Sequence, residues 1–358
     1  MNRIYRDTYA EINLSNLYSN FLSVKSRIGN KKIIPVVKAN AYGHGVLNVV
    51  KHLISKEIDY FAVSTLEEAL EIRSEFQNVD ILVMGVVQST YFNDASKNNI
   101  TLSISNEDQL LGLETLSSKL KVHIKIDSGM NRLGFKSDIE IKNAMNLLKE
   151  SENVQIQGIF THFSTADCDE EYYNVQLGRF KSILEELNFD FKMIHVSNSS
   201  SSIKFEHNLA FTTHVRLGIS LYGLTLDKET TFLKNTYKLI THISEIKCLE
   251  VGDKVGYGAT YKASKKELIG ILPIGYADGF IRKNRDSFVE INEKLYPIIG
   301  TICMDQMFIK IDESITKQHK VIMFGNQISI DDVASRLGTI NYEVVCQISY
   351  RVPKIYIK

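Results

Sequence analysis

The chain has 358 residues, of which 44% are hydrophobic and 23% charged, as is typical of a globular protein with a substantial core. Its 42 basic side chains balance 42 acidic ones, whereas a nucleic-acid-binding protein usually carries a basic excess. No stretch approaches the roughly 18 uninterrupted apolar residues of a membrane-spanning helix. These features argue against nucleic-acid and membrane partners, and the length favours one large domain plus a smaller one.

The cysteine usage points to a reducing compartment. The four cysteines lie far apart and form no C-x-x-C pair, so they read as free thiols and not as a disulfide or zinc framework. The N-terminal segment is charged and has no apolar core of a signal peptide. We therefore expect a cytoplasmic protein without a bound metal.

From residue 33 to about residue 219, short β-rich runs alternate with segments of helical periodicity. Eight such units over roughly 200 residues match the count and length of a (β/α)8 barrel, and their regularity favours closure over an open doubly wound sheet. The predicted strands are 33–40, 60–65, 80–85, 100–105, 121–127, 154–163, 191–200 and 211–219.

After residue 226 the pattern changes to short β-like runs separated by glycines, with one helix-like stretch, IDDVASRL. The sequence therefore predicts an α/β fold in two parts: an N-terminal (β/α)8 TIM-like barrel over residues 1–226 and a mainly β C-terminal domain over residues 227–358.

Polar residues recur at the C-terminal ends of the predicted barrel strands, where barrel enzymes carry their active sites. On strand five, two-residue alternation puts His123, Lys125 and Asp127 on one face. We assign His195 and His214 a structural role, because barrel interiors also hold satisfied polar groups. The remaining residues at these ends are Lys38, His162, Asn198, Ser199 and Arg216.

This set of side chains fits a phosphate-bearing cofactor. Gly218 and Ile219 follow the last strand, where backbone N–H groups often cradle phosphate, and Ser199 adds a hydroxyl. A shielded lysine such as Lys38 can have its pKa lowered enough to act as a nucleophile. An amine, a phosphate cup and an arginine together suit pyridoxal phosphate.

Nine motifs in register resemble the alanine racemase family across nearly the whole chain. That family has the two-domain architecture predicted above, binds pyridoxal phosphate and forms head-to-tail homodimers. The motifs are PVVKANAYGHG (35–45), KIDSGMNRLGF (125–135), THFSTAD (161–167), HVSNSS (195–200), VRLGISLYG (215–223), VGYGATY (255–261), IGYADGF (274–280), TICMDQ (301–306) and SYRVP (349–353).

The resemblance implies how the cofactor is held. Lys38 matches the lysine that forms the Schiff base with the cofactor. Arg216 matches the arginine on the pyridine nitrogen, with His162 beside it. Asn198 lies in the same HVSNSS motif as a further cofactor-binding candidate. The positions that match phosphate-binding residues are Tyr42, Ser199, Gly218, Ile219 and Tyr350.

The resemblance also implies a two-base racemisation of alanine, which supplies D-alanine for peptidoglycan. Lys38 and Tyr257, the latter given by the partner subunit, would each exchange a proton with one face of Cα in the cofactor-bound amino acid. Arg132 and the backbone of Met304 match the groups that hold the substrate carboxylate. The two other assignments are Tyr276, at the active-site entrance, and Lys125, a lysine often carbamylated in this family.

Three alternative functions stay open at this point. The first is another enzyme on the same two-domain scaffold, either a racemase for serine or for many amino acids or a decarboxylase. The second is a non-catalytic pyridoxal-phosphate-binding barrel, which would lack the second domain. The third is a metal hydrolase barrel, which would need a His-x-His pair where this chain has Lys38. One departure from the family is Thr301, where many members have an arginine, and we expect it near the entrance or the dimer interface.

Overall fold

The computed structural model describes residues 5–205, 209–227 and 230–358. The chain forms two compact units. One unit is continuous and comprises Tyr18–Lys234, while the other combines the chain up to Leu17 with Asn235–Lys358. The first strand, β1 (Tyr9–Asn13), and most of the first turn of α1 (Leu14–Lys25) precede the continuous unit.

The continuous unit is a closed parallel barrel, which confirms the predicted fold class. Six strands form one parallel sheet and two form another. A bridge between Val36 and Ala62 joins the two sheets on one side, and on the other the Thr213 N–H donates to the Ile194 carbonyl at 2.9 Å. The barrel strands are β2 (Lys32–Pro35), β3 (Tyr60–Val63), β4 (Asp80–Val83), β5 (Thr101–Ile104), β6 (Leu120–Lys125), β7 (Val154–Phe160), β8 (Met193–His195) and β9 (His214–Leu217).

Helices between the strands begin at residues that suit helix N-termini. Thr65 and Ser137 each form a capping box with a glutamate three residues later, and Asp169 accepts from the Tyr172 N–H. These caps determine the residue at which each of these three helices begins. The helices of this unit after α1 are α2 (Lys38–Tyr42), α3 (Val46–Ile54), α4 (Leu66–Glu75), α5 (Phe92–Lys97), α6 (Glu107–Leu111), α7 (Asp138–Glu150), α8 (Glu170–Leu187) and α9 (Ser199–Lys204).

All eight predicted barrel strands are present, and each of them ends earlier than predicted, by the widest margin at the first and the seventh. Strand one stops at Pro35, so Lys38 does not end a strand and instead begins α2. Strand seven covers only Met193–His195, because Asn198 already caps α9. At both places, the segment predicted as the end of a strand is a turn that presents polar groups.

The second unit is mainly β, as predicted. A nine-stranded sheet runs in the order β11-β14-β17-β16-β15-β18-β10-β1-β19, with β12 and β13 as a separate pair. Two helices, α10 (Ile330–Leu337) and α11 (Asn341–Cys346), follow the sheet's later strands. The strands are β10 (Tyr237–His242), β11 (Glu245–Leu249), β12 (Lys254–Val255), β13 (Tyr261–Lys262), β14 (Glu267–Leu272), β15 (Phe288–Ile291), β16 (Lys294–Ile299), β17 (Met307–Ile311), β18 (Lys320–Phe324) and β19 (Lys354–Ile357).

The N-terminal strand belongs to a different unit from the one expected, since we predicted two contiguous domains with this strand in the first. β1 pairs antiparallel with β10 and parallel with β19, so residues from both chain ends share one sheet. Ala10 and Ile12 are fully buried there. Because a strand needs a paired neighbour to satisfy its backbone, this segment belongs with the β unit and not with the barrel.

Within the described residues, every helix is too short or too polar to cross a membrane.

Candidate active site

The segment labelled α2, which follows β2, is a left-handed helical turn at the C-terminal end of the barrel. Four consecutive non-glycine residues, Ala39 to Tyr42, have φ between 49° and 55°. Each such residue costs about 1–2 kcal/mol relative to a right-handed turn. The Ala39 N–H donates to Glu68 Oε1 at 2.6 Å and the Val46 N–H to Asn40 Oδ1 at 2.7 Å. These bonds hold the half-buried Lys38 at the start of a strained turn, a conformation that clusters at functional sites.

A second group of residues forms a cradle of N–H and O–H donors. Ser199 Oγ accepts from the Gly218 N–H at 3.1 Å and the Ser220 N–H at 3.3 Å, which leaves its own hydrogen to donate. A Cβ on Gly218 would lie 3.3 Å from Tyr42 Oη, so the absence of a side chain keeps the cradle open. The Ile219 N–H finds no acceptor in the described chain. This donor set suits a phosphate group.

Asn198 caps a helix instead of ending a strand, and its role in cofactor binding stays a prediction. Its Oδ1 accepts from the Ser201 N–H at 2.9 Å, and its Nδ2 donates to the Phe163 carbonyl at 3.3 Å. Both ends of the amide are therefore engaged inside the protein. Asn198 caps α9 and so orients Ser199, the next residue.

Arg216 lies at the centre of the barrel mouth and is almost fully buried. Its Nη1 donates to His195 Nδ1 and to the His195 carbonyl, each at 2.7 Å. Its Nη2 contacts the Thr161 carbonyl at 2.8 Å, the Val196 carbonyl at 3.1 Å and His162 Nδ1 at 3.2 Å. Among the described residues, only its Nε–H is left without an acceptor, and this donor suits an aromatic ring nitrogen.

The barrel mouth carries buried positive charge. Burial, together with the nearby Arg216 charge, lowers the pKa of Lys125 to about 7. Burial and Arg132 lower the pKa of Arg216, although a guanidinium stays charged at neutral pH. Each contact that Arg216 makes within the described chain is to a carbonyl or an imidazole and none is to a carboxylate. Uncompensated buried cations are costly, so this site favours an anionic ligand.

His162 is held neutral beside these cations. Burial is the largest cause that lowers the pKa of His162 well below its ordinary value, followed by Arg216 and then Lys125, with Lys38 also contributing. Lys38 therefore lies near enough to His162 for its charge to act on the imidazole. Arg132 is exposed, in a loop that Asp127 holds by accepting from the Gly129 and Asn131 N–H groups.

Three loops of the second unit are packed together and carry Tyr276, Met304 and Tyr350. The Tyr276 N–H donates to the Cys303 carbonyl at 3.1 Å and the Ala277 N–H to the Met304 carbonyl at 3.0 Å. The buried Asp278 carboxylate pairs with Arg6 at 2.7 Å, and its carbonyl accepts from the Ser349 N–H. The Met304 N–H has no acceptor among the described residues and stays able to bind a carboxylate.

Tyr257 and Tyr350 are unusually exposed aromatic side chains. Tyr257 is 74% exposed in a turn between Gly256 and Gly258, both of which have positive φ, and Tyr350 is 95% exposed. Tyr276 and Met304 are also exposed, at 39% and 52%. Buried phenols can be structural, whereas large exposed aromatic side chains on one unit are candidates for a functional surface.

Thr301 lies beside the turn that carries Tyr257. It is buried, at 3% exposure, and its hydroxyl lies 3.2 Å from that of Thr260, three residues after Tyr257. A threonine at this position therefore supports the Tyr257 turn from within the unit, and its expected place near the entrance or the dimer interface stays a prediction.

Replacing Gly275 by alanine is expected to displace the Met304 loop. A Cβ on Gly275 would lie 2.3 Å from the Cys303 carbonyl oxygen and 2.4 Å from that of Met304. We expect Gly275→Ala to lower the free energy of unfolding by about 2–3 kcal/mol. Urea denaturation measures this change.

The matched control is Gly178→Ala in α8, where an added Cβ meets no atom within 4 Å. Because alanine has the higher helix propensity, this variant should gain about 0.5–1 kcal/mol. Equal stability of the two variants would show that the close approach at Gly275 is unimportant.

Comparison with known proteins assigns the family. A model of the alanine racemase N-terminal domain matches residues 12–226, and a model of the alanine racemase C-terminal domain matches residues 236–356. The chain belongs to the alanine racemase family. The predicted resemblance is thereby confirmed.

Individual alanine racemases match over almost their full length. Alanine racemase 1 of Bacillus subtilis is 38% identical, covering 99% of this chain and 94% of the relative. The solved alanine racemase of Bacillus anthracis, with bound L-Ala-P, has a TM-score of 0.93 at 34% identity, covering 99% and 96% of the two chains. A histidine racemase of Leuconostoc mesenteroides has a TM-score of 0.92 at 26% identity and full coverage of both chains.

One contact of the site, between His195 and Arg216, was not apparent from the sequence. The prediction gave His195 only a structural role, yet its ring directly contacts Arg216. The available signal was the two-residue alternation of the predicted strand 191–200, which puts His195 on the same face as Ser197, and both are fully buried. His214 instead bonds to Thr213 at the other end of its strand, at 2.8 Å. In the described part of the chain, no three His, Cys, Asp or Glu residues gather to hold a metal.

Proposed function

We propose that this chain interconverts L-alanine and D-alanine with pyridoxal phosphate as cofactor. The observation that carries the proposal is the arrangement at one end of the barrel of Lys38, the donor cradle around Ser199 and the buried Arg216. Membership of the alanine racemase family and the L-Ala-P bound by the Bacillus anthracis relative support alanine as the substrate.

The residues of the barrel fit the cofactor group by group. Tyr42, Ser199 and the N–H groups of Gly218 and Ile219 would hold the phosphate, with Tyr350 as a further phosphate-binding candidate. Arg216 would direct its Nε–H to the ring nitrogen, and Lys38 would anchor the cofactor covalently. When bound, pyridoxal phosphate withdraws electrons from Cα of the amino acid and so makes its proton more acidic.

Two residues would move the proton between the faces of Cα. Lys38 would act on one face and Tyr257 of a second subunit on the other. His162 supports Tyr257 because Nδ1 of His162 accepts from Arg216, so its proton resides on Nε2 and can be donated to the phenol oxygen. Inversion follows when one residue removes the proton and the other returns one.

Other residues would bind and orient the substrate. Arg132 and the free Met304 N–H would hold its carboxylate, and Tyr276 would line the entrance. A carbamylated Lys125 would orient Arg132. A carboxylate is bound by positively charged groups and by hydrogen-bond donors. Arg132 supplies the charge, and the Met304 N–H supplies a donor.

A homodimer is part of this proposal. Tyr257 is 74% exposed within its own subunit, which fits a residue that completes its environment on a partner. The cytoplasmic location and the supply of D-alanine for peptidoglycan stay predictions.

Substrate identity is the main alternative within this proposal. The histidine racemase neighbour has the same fold, so this fold is compatible with amino acids other than alanine. A serine or broad-specificity racemase therefore stays the second candidate. The mainly β second unit disfavours the non-catalytic single-domain barrel.

The test is proton NMR in deuterated water on the purified protein with pyridoxal phosphate. Loss of the Cα–H signal and appearance of the D-enantiomer, strongest for alanine in a panel that includes serine and histidine, is the expected result. Stronger activity on another amino acid would overturn the substrate. No exchange with any of them would overturn the activity.

A further inference from the structure

A continuous row of hydrogen bonds leads from Arg216 into the barrel interior. His195 Nδ1 lies 2.7 Å from Arg216 Nη1, and His195 Nε2 lies 2.8 Å from His123 Nδ1. His123 Nε2 in turn lies 3.4 Å from the hydroxyl of Tyr60, which also bonds to the Thr101 side chain. The row joins β9, β8, β6 and β3 across the barrel.

Donor chemistry fixes the direction of every bond in this row. A guanidinium has only donors, so His195 Nδ1 must be the acceptor and the His195 proton must be on Nε2. His123 Nδ1 must then accept from His195, which puts the His123 proton on Nε2, facing Tyr60. Reversing any bond would leave two N–H groups facing each other in a fully buried space.

Both imidazoles are neutral in this arrangement. His123 and His195 are completely buried. Burial, above all, lowers the pKa of both rings, that of His123 to about 3, and the charge of Arg216 adds to the effect. The Phe160 ring stacks on His195 at 4.7 Å between centroids, 11° from parallel, which fixes the plane of the imidazole.

We propose that His195 and His123 are positioning residues that aim the remaining donor of Arg216, its Nε–H. The His195 ring accepts one Nη1 hydrogen while the His195 carbonyl accepts the other, and His123 prevents the ring from rotating by accepting from its other nitrogen. With the guanidinium plane fixed, Nη2 faces His162 and Nε–H points to the acceptor nitrogen of an aromatic ring. The statement about that ring rests on the proposed function, whereas the bond directions do not.

The direct test measures the protonation of each imidazole nitrogen. Nitrogen NMR of the holoenzyme and the apoprotein, labelled with ¹⁵N-histidine, should show His195 and His123 protonated on Nε2 only, with no titration between about pH 6 and 9. Signals are assigned by their loss in His195→Asn and His123→Asn. A proton on Nδ1 of His195 would overturn the inference, whatever reaction the protein catalyses.

A pair of variants separates positioning from packing. His195→Leu removes the acceptor, whereas His195→Asn keeps an oxygen near the Nδ1 position. Because a hydrogen bond to a charged group is lost, we expect His195→Leu to weaken pyridoxal phosphate binding about tenfold and to lower kcat about tenfold with little change in KM. His195→Asn should recover most of both losses. Cofactor affinity is measured by fluorescence titration of the apoprotein.

Equal losses in the two variants would contradict the positioning role. Should His195→Leu fail to fold, His123→Leu and His123→Asn make the same comparison one hydrogen bond further from Arg216. We expect His123→Leu to lower cofactor affinity and kcat by less than His195→Leu, and His123→Asn to recover most of both. Equal losses there would contradict the role of His123. If wild-type protein binds the cofactor but is inactive on every amino acid, the proposed function fails while the cofactor-affinity comparison still tests this inference.

Discussion

Mixing inactive Lys38→Ala and Tyr257→Phe proteins should restore about a quarter of wild-type activity after subunit exchange. Alone, each variant should lose about a thousandfold or more in kcat, because each lacks one of two proton-transfer groups. In a mixed dimer, one site combines the intact Lys38 with the intact Tyr257, and the other site has neither. Racemisation assays on the exchanged mixture measure the recovery.

The double variant Lys38→Ala/Tyr257→Phe is the matched control. Mixed with wild-type subunits, it should inactivate both sites of every mixed dimer, so an equal mixture retains only about a quarter of the activity of fully wild-type dimers. If each site were built within one subunit, about half would remain. Native mass spectrometry establishes that exchange has occurred, and mixed dimers without recovery would contradict the shared site.

This prediction depends on a residue whose exposure the sequence could not reveal. VGYG identifies Tyr257 by resemblance, but the exposure of its side chain follows from the turn between Gly256 and Gly258. Within its own subunit, the Tyr257 phenol is 74% exposed and mostly surrounded by solvent. A neutral imidazole such as His162 of a second subunit would supply the missing partner, which is why dimerisation and activity should be lost together.

The barrel was predictable because its strands are short apolar runs at regular intervals, and parallel barrel strands are buried on both faces. The left-handed turn was not predictable, since Ala39, Ala41 and Tyr42 have no local preference for positive φ. The turn is stabilised in part by Glu68, in a helix 29 positions away in sequence, which accepts from the Ala39 N–H. Sequence patterns report local preference, whereas this turn is held by a distant carboxylate.

Two other features depended on contacts distant in sequence. β1 joins a sheet with β19 through pairs such as Ala10 with Lys354, at opposite ends of the chain. His195 became part of the site only once Arg216 was seen to donate to it from another strand. In both cases the residue type is compatible with several environments. The residue that it contacts in the folded chain determines which environment it has.

Lys125 is expected to carry a carbamate in the working enzyme. With a pKa lowered to about 7 by burial and by Arg216, its amine is largely neutral above neutral pH. The amine nitrogen can then attack the carbon of CO2, forming an N–C bond and releasing one proton to water. The product is an anion beside Arg216 and Arg132, where it compensates buried positive charge and can orient the Arg132 guanidinium.

Carbon NMR of the enzyme in ¹³C-bicarbonate should give a carbamate signal that is absent from Lys125→Gln. Protonated lysine does not react with CO2, so the signal should weaken as the pH falls below about 7 and strengthen as it rises. Lys125→Gln should lower kcat/KM about a hundredfold, mainly through KM, because Arg132 loses its anionic partner and the substrate carboxylate is held less well.

Lys121→Gln is the control, since Lys121 is on the same strand, β6, but partly exposed and paired with Asp80 at 3.2 Å. It should keep both the carbamate signal and wild-type kinetics. A signal that persists in Lys125→Gln would assign the carbamate to another amine. Equal activity of the two variants would mean that a neutral side chain at position 125 orients Arg132 as well as an anion does, which the charge of the barrel mouth argues against.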